Sequence, residues 1–283
     1  MAYIGRFNRL TVNKIVAHGV YLDAAWMGTV LLPKSQVPED CEVGDSIGVF
    51  IYLDSEDRFI ATTAKPLAQV GEVACLKVVQ VNRVGAFLDW GLPKDLLVPF
   101  NQQQPAMEVG RSYLVYVHVD EEGNRILGSA LLNKFIEKEP QGYKVGQPVA
   151  LAVSEKTDLG YACVMDNKYW GLLFYSDVVK PLRIGQSIKG YVKRLREDGK
   201  VDLSLQAPGF AKVDDLTKRV LRALNENDGY IPLSDKSPPE AIAEAFGVSK
   251  KSYKMTIGNM YKNKMIKIES KGIRLLKQDK PSS

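Results

Sequence analysis

The 283-residue sequence holds only two histidines, three cysteines and three tryptophans, and these scarcities close off much chemistry. His18 and His118 are far apart, and neither belongs to a metalloprotease-like spacing. Cys41, Cys75 and Cys163 are odd in number and widely separated, so no pair has zinc-ligand spacing. They read as reduced, core-like thiols in a reducing compartment. No long apolar run suits a membrane-spanning helix. The opening MAYIGRFNRL lacks the basic-then-apolar layout of a secretory signal, so a cytoplasmic location and no membrane partner are expected. Neither a Gly-rich phosphate loop nor a Gly-x-Ser-x-Gly elbow is present. The convergent reactive groups of an enzyme are missing, and no catalytic residue, cofactor or metal site is expected. The acidic clusters Asp54–Asp57 and Asp120–Glu122 fall at equivalent hairpin positions, where acidic turn residues are ordinary.

What is present is an ordinary globular composition, 45% apolar and 25% charged, with an uneven net charge of +5. Residues 1–69 carry six basic and eight acidic side chains, and residues 70–140 carry seven and nine. The balance reverses to ten against seven in 141–210 and fifteen against nine in 211–283. Basic charge gathered in one half suits a polyanionic partner, because neutralising phosphates releases counterions. A merely solvated basic surface explains the charge alone equally well.

The most informative feature is an internal repeat. Sliding the sequence by 66 aligns residues 5–63 with 71–129 without a gap, giving 17 identities in 59 positions. They include Gly5/Gly71, Val12/Val78, Gly19/Gly85, Asp23/Asp89, Pro33/Pro99, Gly44/Gly110 and Asp54/Asp120. A further slide of 75 recovers the ends of a third copy: Gly146, Leu151 and Val153, then Gly185, Ser187, Val192, Glu197 and Ser204. The middle of that copy is expected to need a small insertion and a small deletion. In the second copy CLKVVQV, GAFLDW, DLLVPF, SYLVYVHV and RILGSA read as five strands, with room for a short helix between Asn101 and Val109. Asp120 to Asn124 and Asp198-Gly199 mark the hairpin joining the last two strands. Five short strands suit a small closed or partly open barrel of OB type, with SH3-like barrels as the structural alternative.

The stretch VGAFLDWGLPKDLLVPF (Val84 to Phe100) and the closing DGKVDLSL (Asp198 to Leu205) resemble the RNA-binding OB repeat named after ribosomal protein S-one. Three such repeats followed by a winged helix resemble the bacterial conserved virulence factor B family over nearly the whole chain. The expected domains are barrel repeats at 1–66, 67–137 and 141–208, the first degenerate, and a winged helix at 211–278. The connectors are short (Ala64 to Pro66, Glu137 to Gly142, Ala207 to Lys212), which favours a limited range of orientations.

The winged helix is read from a change of period near Asp214. Leu216, Val220, Leu221 and Leu224 form one helical stripe ending at Asn227-Asp228-Gly229, and an extended YIPL follows. Ser237 precedes Pro238-Pro239-Glu240 as the cap of a second helix that turns Ile242, Ala245 and Phe246 inward and stops at Gly247. Ser249 caps a third helix carrying Tyr253, Ile257, Met260 and Tyr261 at helical spacing. Met265 to Ile268 and Gly272 to Leu276 complete a hairpin. Such a third helix normally enters a DNA groove, and Lys250, Lys251 and Lys254 lie at its first turns as candidate nucleic-acid contacts.

Single-stranded RNA needs aromatic faces for splayed bases, framed by cations that follow the backbone. An OB barrel offers such a surface on strands two and three. By the resemblance, Phe87 matches the second aromatic of the motif, Val84 replaces the first, and Arg125 is the basic residue opening strand five. Arg83, Trp90 and Phe100 flank that region. In the first copy His18 and Tyr21 correspond, with Lys34 after strand three. In the third, Tyr161 matches the first aromatic, Val164 replaces the second, and Phe174 stands where the family has histidine. Lys193, Arg194, Arg196 and Lys200 crowd its strands four and five. Trp26 and Trp90 read as barrel-filling or covering residues, and His118 as a satisfied surface histidine. The expectation is a monomeric RNA-binding regulator of low sequence specificity. Duplex DNA recognition by the winged helix, or a protein-interaction scaffold at the ribosome, are the alternatives.

Overall fold

The structure is a computed structural model that describes residues 2–120, 125–178, 180–206 and 210–276. It forms two compact units, Met1–Leu205 and Gln206–Ser283. Of the residues singled out above, Glu121, Glu122 and Asn124 of the second hairpin and Ala207 to Gly209 of the last connector lie outside the described residues.

The first unit is three closed five-stranded barrels. The first contains β1 (Phe7–Val16), β2 (Gly19–Asp23), β3 (Thr29–Pro33), β4 (Ser46–Leu53) and β5 (Phe59–Thr62). The second contains β6 (Val73–Asn82), β7 (Gly85–Asp89), β8 (Leu96–Pro99), β9 (Ser112–Val119) and β10 (Ile126–Ser129). The third contains β11 (Pro148–Lys156), β12 (Gly160–Met165), β13 (Tyr169–Phe174), β14 (Ser187–Leu195) and β15 (Val201–Ser204). In each, the first three strands form a meander, the fifth runs parallel to the third, and the fourth pairs with the fifth and the first. This order gives the OB-type barrel among the alternatives left open by strand count. Alternation decides which side chains enter: Leu10 and Val12 of β1 with Val49 and Ile51 of β4 fill the first barrel. Leu76 and Val78 of β6, with Val115 and Val117 of β9, do the same in the second. The helix expected between strands three and four of the second copy is only a short 3₁₀ turn, Phe100–Gln102.

The repeat extends to individual hydrogen bonds. Gly44, Gly110 and Gly185 adopt positive φ and donate to the carbonyls of Val12, Val78 and Val153 at 2.9, 2.9 and 2.7 Å. The pairing register of each first strand shifts just after those residues, a β-bulge that increases local twist. Gly19, Gly85 and Gly160 open the three second strands, where a Cβ would strike the carbonyl oxygen of Leu32, Val98 or Leu173. These glycines are needed for the close approach of strand two to strand three.

The structure corrects the expected gaps. Gly160 pairs with Phe174 as Gly85 pairs with Pro99, so the third copy keeps the 75-residue offset through its middle. Its extra residue is a bulge at Lys193, where register shifts between Val192 and Arg194. The first and second copies part company in the last hairpin, since Leu31 pairs with Ile60 but Leu97 with Leu127. The second hairpin is one residue longer, so Arg125 is the counterpart of Arg58.

Neighbouring barrels are joined by the outer face of strand four. Phe50 and Tyr52 point out of the first barrel and are buried in the apolar cluster of the second, with Phe50 edge-on to Trp90 at a ring separation of 5.7 Å. Leu114 and Tyr116, on the same face of β9, join a second joint with Leu132, Ile136, Ala152, Val164 and Trp170. Val73 N–H donates to Asn167 Oδ1 across it at 3.1 Å. Of the cysteines only Cys163 is a core residue; Cys41 is half-buried and Cys75 exposed.

The second unit contains α1 (Phe210–Glu226), β16 (Tyr230–Ile231), α2 (Pro239–Phe246), α3 (Lys250–Lys262), β17 (Ile266–Ile268) and β18 (Ile273–Leu275). The three strands form one sheet in the order β16-β18-β17. Leu216, Val220 and Leu224 pack with Ile242, Phe246, Tyr253, Ile257, Met260, Ile266 and Ile273. Helix α2 ends in left-handed Gly247, and Ser249 caps α3 by accepting from Ser252 N–H. Three expectations are corrected. Pro238 occupies the cap of α2, while Ser237 Oγ accepts from Ser234 N–H. Ala245 and Tyr261 face outward, each lying off the buried stripe of its helix.

Phe50 tests the joint. Phe50→Ala is expected to cost about 3–5 kcal/mol of stability, read as a lower urea midpoint by tryptophan fluorescence. A midpoint unchanged from wild type would show that the first two barrels do not depend on this contact.

Candidate nucleic-acid interface

Strand four is committed to joints in the first two barrels; most of the sequence-predicted barrel residues lie on strands two and three and around the last hairpin, with Lys193 and Arg194 on strand four of the third. The tip of each strand 1–2 hairpin lies beside the exit of strand three, because Gly19, Gly85 and Gly160 pair with Pro33, Pro99 and Phe174. Two residues beyond each glycine the chain presents an outward side chain: Tyr21, Phe87 and Ala162, all half-buried.

On the first barrel Tyr21 meets His18 edge-on, with hydroxyl and Nε2 3.5 Å apart. Arg58, just before β5, is paired with Asp54 and Glu56. Lys34 begins the turn after β3, and its N–H donates to His18 carbonyl. Trp26 covers one end of this barrel, its Nε1 donating to Ala2 carbonyl and its edge on Phe59, with much of the ring exposed.

On the second barrel Phe87 lies in a cavity of about 180 Å³ with Leu97, Lys94, Arg125 and Ile126. Tyr52, Leu53 and Asp57 of the first barrel line the same cavity. Trp90 is buried and donates to Lys94 carbonyl, so it is a core residue. Arg83 and Val84 are exposed at the hairpin tip, and Phe100, 51% exposed, follows β8. His118 donates through Nδ1 to Val119 carbonyl and lies tilted against Phe135, while its buried Nε2 has no partner among the described residues.

The third barrel differs most from expectation. Tyr161 is 2% exposed and its hydroxyl accepts from Leu182 N–H at 3.1 Å, so it offers no ring face to a ligand. Strand alternation is the reason: Tyr161 corresponds to inward Val20 and Ala86, and Ala162 takes the position of Tyr21 and Phe87. Val164 is buried in the joint with the second barrel. Phe174 is half-buried, and the exposed ring is the next residue, Tyr175, the counterpart of Phe100. Tyr175 hydroxyl donates to Thr157 carbonyl at 2.9 Å. Sequence reasoning missed Tyr175, although an offset anchored on Gly160 would have aligned it with Phe100.

The small side chain of Ala162 leaves a cleft of about 400 Å³ floored by Ala162, Leu172 and Trp170 and bordered by Lys138, Arg196 and Lys200, with Glu155 the acidic residue in its lining. Trp170 Nε1 is buried without a hydrogen-bond partner among the described residues. The cations carry acidic neighbours: Lys193 pairs with Asp177 at 2.8 Å, Arg196 with Asp198 at 3.1 Å, and Lys200 with Asp198 at 3.3 Å. Arg194 is exposed beside Asp202 in the strand pairing. Asp198 is held below the usual carboxylate range by hydrogen bonds from Lys200 and the charge of Arg196, which outweigh its desolvation. Burial pushes the Cys163 thiol up to about 12, an inert core group. Among the described residues no cluster of three or more metal-ligating side chains occurs, and no helix is long and apolar enough to cross a membrane.

In the winged helix, Lys251 and Lys254 are exposed on α3. Lys250 is half-buried, its Nζ donating to Lys236 carbonyl at 3.5 Å. Met255 and Tyr261 add exposed apolar surface to the same helix.

Comparison with known proteins agrees with this architecture. The family model of the S1 domain matches residues 4–64, and that of the CvfB-like winged helix domain matches residues 218–275. A protein of Staphylococcus saprophyticus named conserved virulence factor B is 27% identical over 255 residues, covering 87% of this chain and 85% of that protein. Its namesake from Staphylococcus aureus is 29% identical over 260 residues, covering 88% and 86%. The chain is similar to the conserved virulence factor B proteins along most of its length. A solved multidomain protein with nucleic acid binding domains from Streptococcus pneumoniae is 23% identical, with a TM-score of 0.41 over 96% of this chain and 98% of that one. The resemblance read from the sequence is thus borne out, and both matched domains are of nucleic-acid-binding rather than enzymatic type. The S1 match falls on the first copy, which had looked degenerate, whereas the motif that suggested it lies in the second.

Tyr161 separates a core role from a contact role. Tyr161→Phe leaves Leu182 N–H unpaired and is expected to cost about 1–2 kcal/mol in urea denaturation without changing nucleic-acid affinity. Weakened affinity at unchanged stability would return Tyr161 to the interface.

Proposed function

We propose that the protein binds single-stranded RNA with low sequence specificity and influences gene expression post-transcriptionally in the cytoplasm, without catalysing a reaction. The third-barrel cleft carries this reading. An apolar floor wide enough for a base lies beneath Lys138, Arg196 and Lys200, with the exposed ring of Tyr175 on the same barrel. Bases favour such apolar and aromatic surfaces whatever their identity, and phosphates favour the cations around them. The pairs that now neutralise Arg196 and Lys200 are partly exposed and therefore weak, so a phosphate can replace the carboxylate.

Tyr21 and Phe87 with Arg125 supply further stacking and charge on the other barrels, with Arg83 at the second barrel's tip. Phe174, Lys193 and Arg194 border the third face as supporting contacts. Lys250, Lys251 and Lys254 add positive charge on α3. That helix carries neither arginine nor glutamine, and its polar residues besides lysine and tyrosine are Ser252, buried Thr256 and Asn259. This favours backbone attraction over duplex sequence recognition. Linking several weak surfaces in one chain raises their effective concentration.

Binding to an unstructured oligoribonucleotide across a salt series tests the proposal. Affinity is expected to fall linearly with salt on logarithmic axes. Arg196→Glu/Lys200→Glu is expected to weaken it about tenfold or more, with Tyr175→Ala lowering it about fivefold or more by lost stacking. Undetectable or salt-independent binding, or tighter binding of duplex DNA in direct competition, would overturn the reading.

A further inference from the structure

The second barrel's outer face is already in contact with acidic protein. The turn Asp54–Arg58 of the first barrel reaches it, and Asp57 sits at its apex with φ +57°, in the left-handed region. One Asp57 carboxylate oxygen accepts from Lys94 Nζ at 3.0 Å, and the other faces Arg125 at 3.4 Å. Lys94 Nζ also donates to Asp54 carbonyl. Beneath these contacts lies the cavity that holds Phe87 and Leu97, closed on the other side by Tyr52 and Leu53 of the first barrel.

We infer that Asp57 acts as a built-in competitor for nucleic-acid phosphate, so that the second barrel engages a single strand only when the first barrel's acidic turn is displaced. This rests on the proposed RNA-binding reading and adds an order to it. A carboxylate bridging a lysine and an arginine over an aromatic ring occupies the electrostatic position that a backbone phosphate would take over a stacked base. Both cations of the face are engaged by the one residue, and its ring shares a cavity with the turn that supplies it. Lys94 by hydrogen bond and charge, with Arg125 adding to it, holds the Asp57 carboxyl below its ordinary range, as expected for an anion seated between two cations.

The turn is poised for displacement. Asp57 is 56% exposed and Lys94 39% exposed, so these pairs are solvent-screened and weak. The joint that holds the two barrels together, buried Phe50, Tyr52 and Trp90, adjoins this cavity but includes no residue of the Asp54–Arg58 turn. Local retreat of the turn therefore needs no separation of the barrels. Among the described residues, the corresponding cleft of the third barrel is bordered by Asn133, Lys138 and Glu155, and its cations Arg196 and Lys200 pair with Asp198 of their own barrel. A strand would engage the second face only at the cost of the Asp57 contacts with Lys94 and Arg125, which come from another barrel.

The experiment is fluorescence anisotropy of a labelled oligouridine of about twelve nucleotides with the full chain at moderate salt. Asp57→Asn removes the charge while keeping a side chain that tolerates left-handed backbone. It is expected to tighten binding about three- to tenfold. Glu56→Gln removes the same charge from the same turn, where Glu56 pairs with Arg58 of its own barrel. It is expected to leave affinity within about twofold of wild type. The gain from Asp57→Asn is expected to vanish in Asp57→Asn/Phe87→Ala, because the released face needs its aromatic. Equal gains from Asp57→Asn and Glu56→Gln, no gain, or a gain that survives Phe87→Ala would each overturn the inference while RNA binding itself stood. Failure of wild type and every variant to bind would remove the RNA-binding reading and this inference together.

Discussion

The burial of strand-four side chains between consecutive barrels is the constraint on which the first unit depends. A barrel of some 65 residues buries a small core and is marginal alone. Phe50 and Tyr52 would be solvent-facing on an isolated first barrel, as Leu114 and Tyr116 would be on the second. Each set is instead covered by the next barrel, so that the outer face of one module completes the core of another. This explains why β4 is buried at every position from Val49 to Leu53, against the alternation that an isolated half-exposed strand would show. It also decides where ligands can approach. Strand four of the first two barrels is spent on assembly, and the sides formed by strands two, three and five, together with strand four of the third barrel, keep aromatic and cationic residues at the surface.

Those sides are electrostatically balanced, not simply basic. Arg58 faces Asp54 and Glu56; Lys94 and Arg125 share Asp57; Lys193 has Asp177; Arg196 and Lys200 share Asp198. Exposed pairs of this kind contribute little to stability. Their consequence is for association: a polyanion must exchange with protein carboxylates as well as release its own counterions, which holds affinity down and makes it depend on how many faces engage. The excess of acidic residues in the first two copies and of basic residues in the third follows the same pattern along the chain.

Much of the architecture was legible because the repeat is carried by residues with backbone duties. Gly44, Gly110 and Gly185 recur because the bulged first strand needs a positive-φ donor at that point, and Gly19, Gly85 and Gly160 because two backbones touch there. The winged helix was legible from Ser249 as a cap and Gly247 as a stop. The site was less legible. Tyr161 looked like a motif aromatic because it is one position from Ala162, and in a strand one position exchanges solvent for core. Ser237 failed as a cap because its hydroxyl serves the preceding turn, a choice between two local hydrogen bonds that sequence does not rank. Asp57 looked like an ordinary turn residue because its partners, Lys94 and Arg125, are 37 and 68 positions away.

Duplication has kept the frame and varied the face. The equivalent outward position on strand two is Tyr21, Phe87 and Ala162, while the glycine and bulge positions that build the strand recur in all three copies. Replacing a ring by a methyl group converts a stacking surface into a recess, so the third barrel offers a cleft where the other two offer an aromatic edge. On the proposed reading, three faces with different depth and charge cannot enforce one base sequence along a strand. They can still hold it jointly, because each face that engages raises the effective concentration of the strand at the next. Low specificity with useful affinity is then a consequence of how the copies diverged, and it requires no strong site on any single barrel.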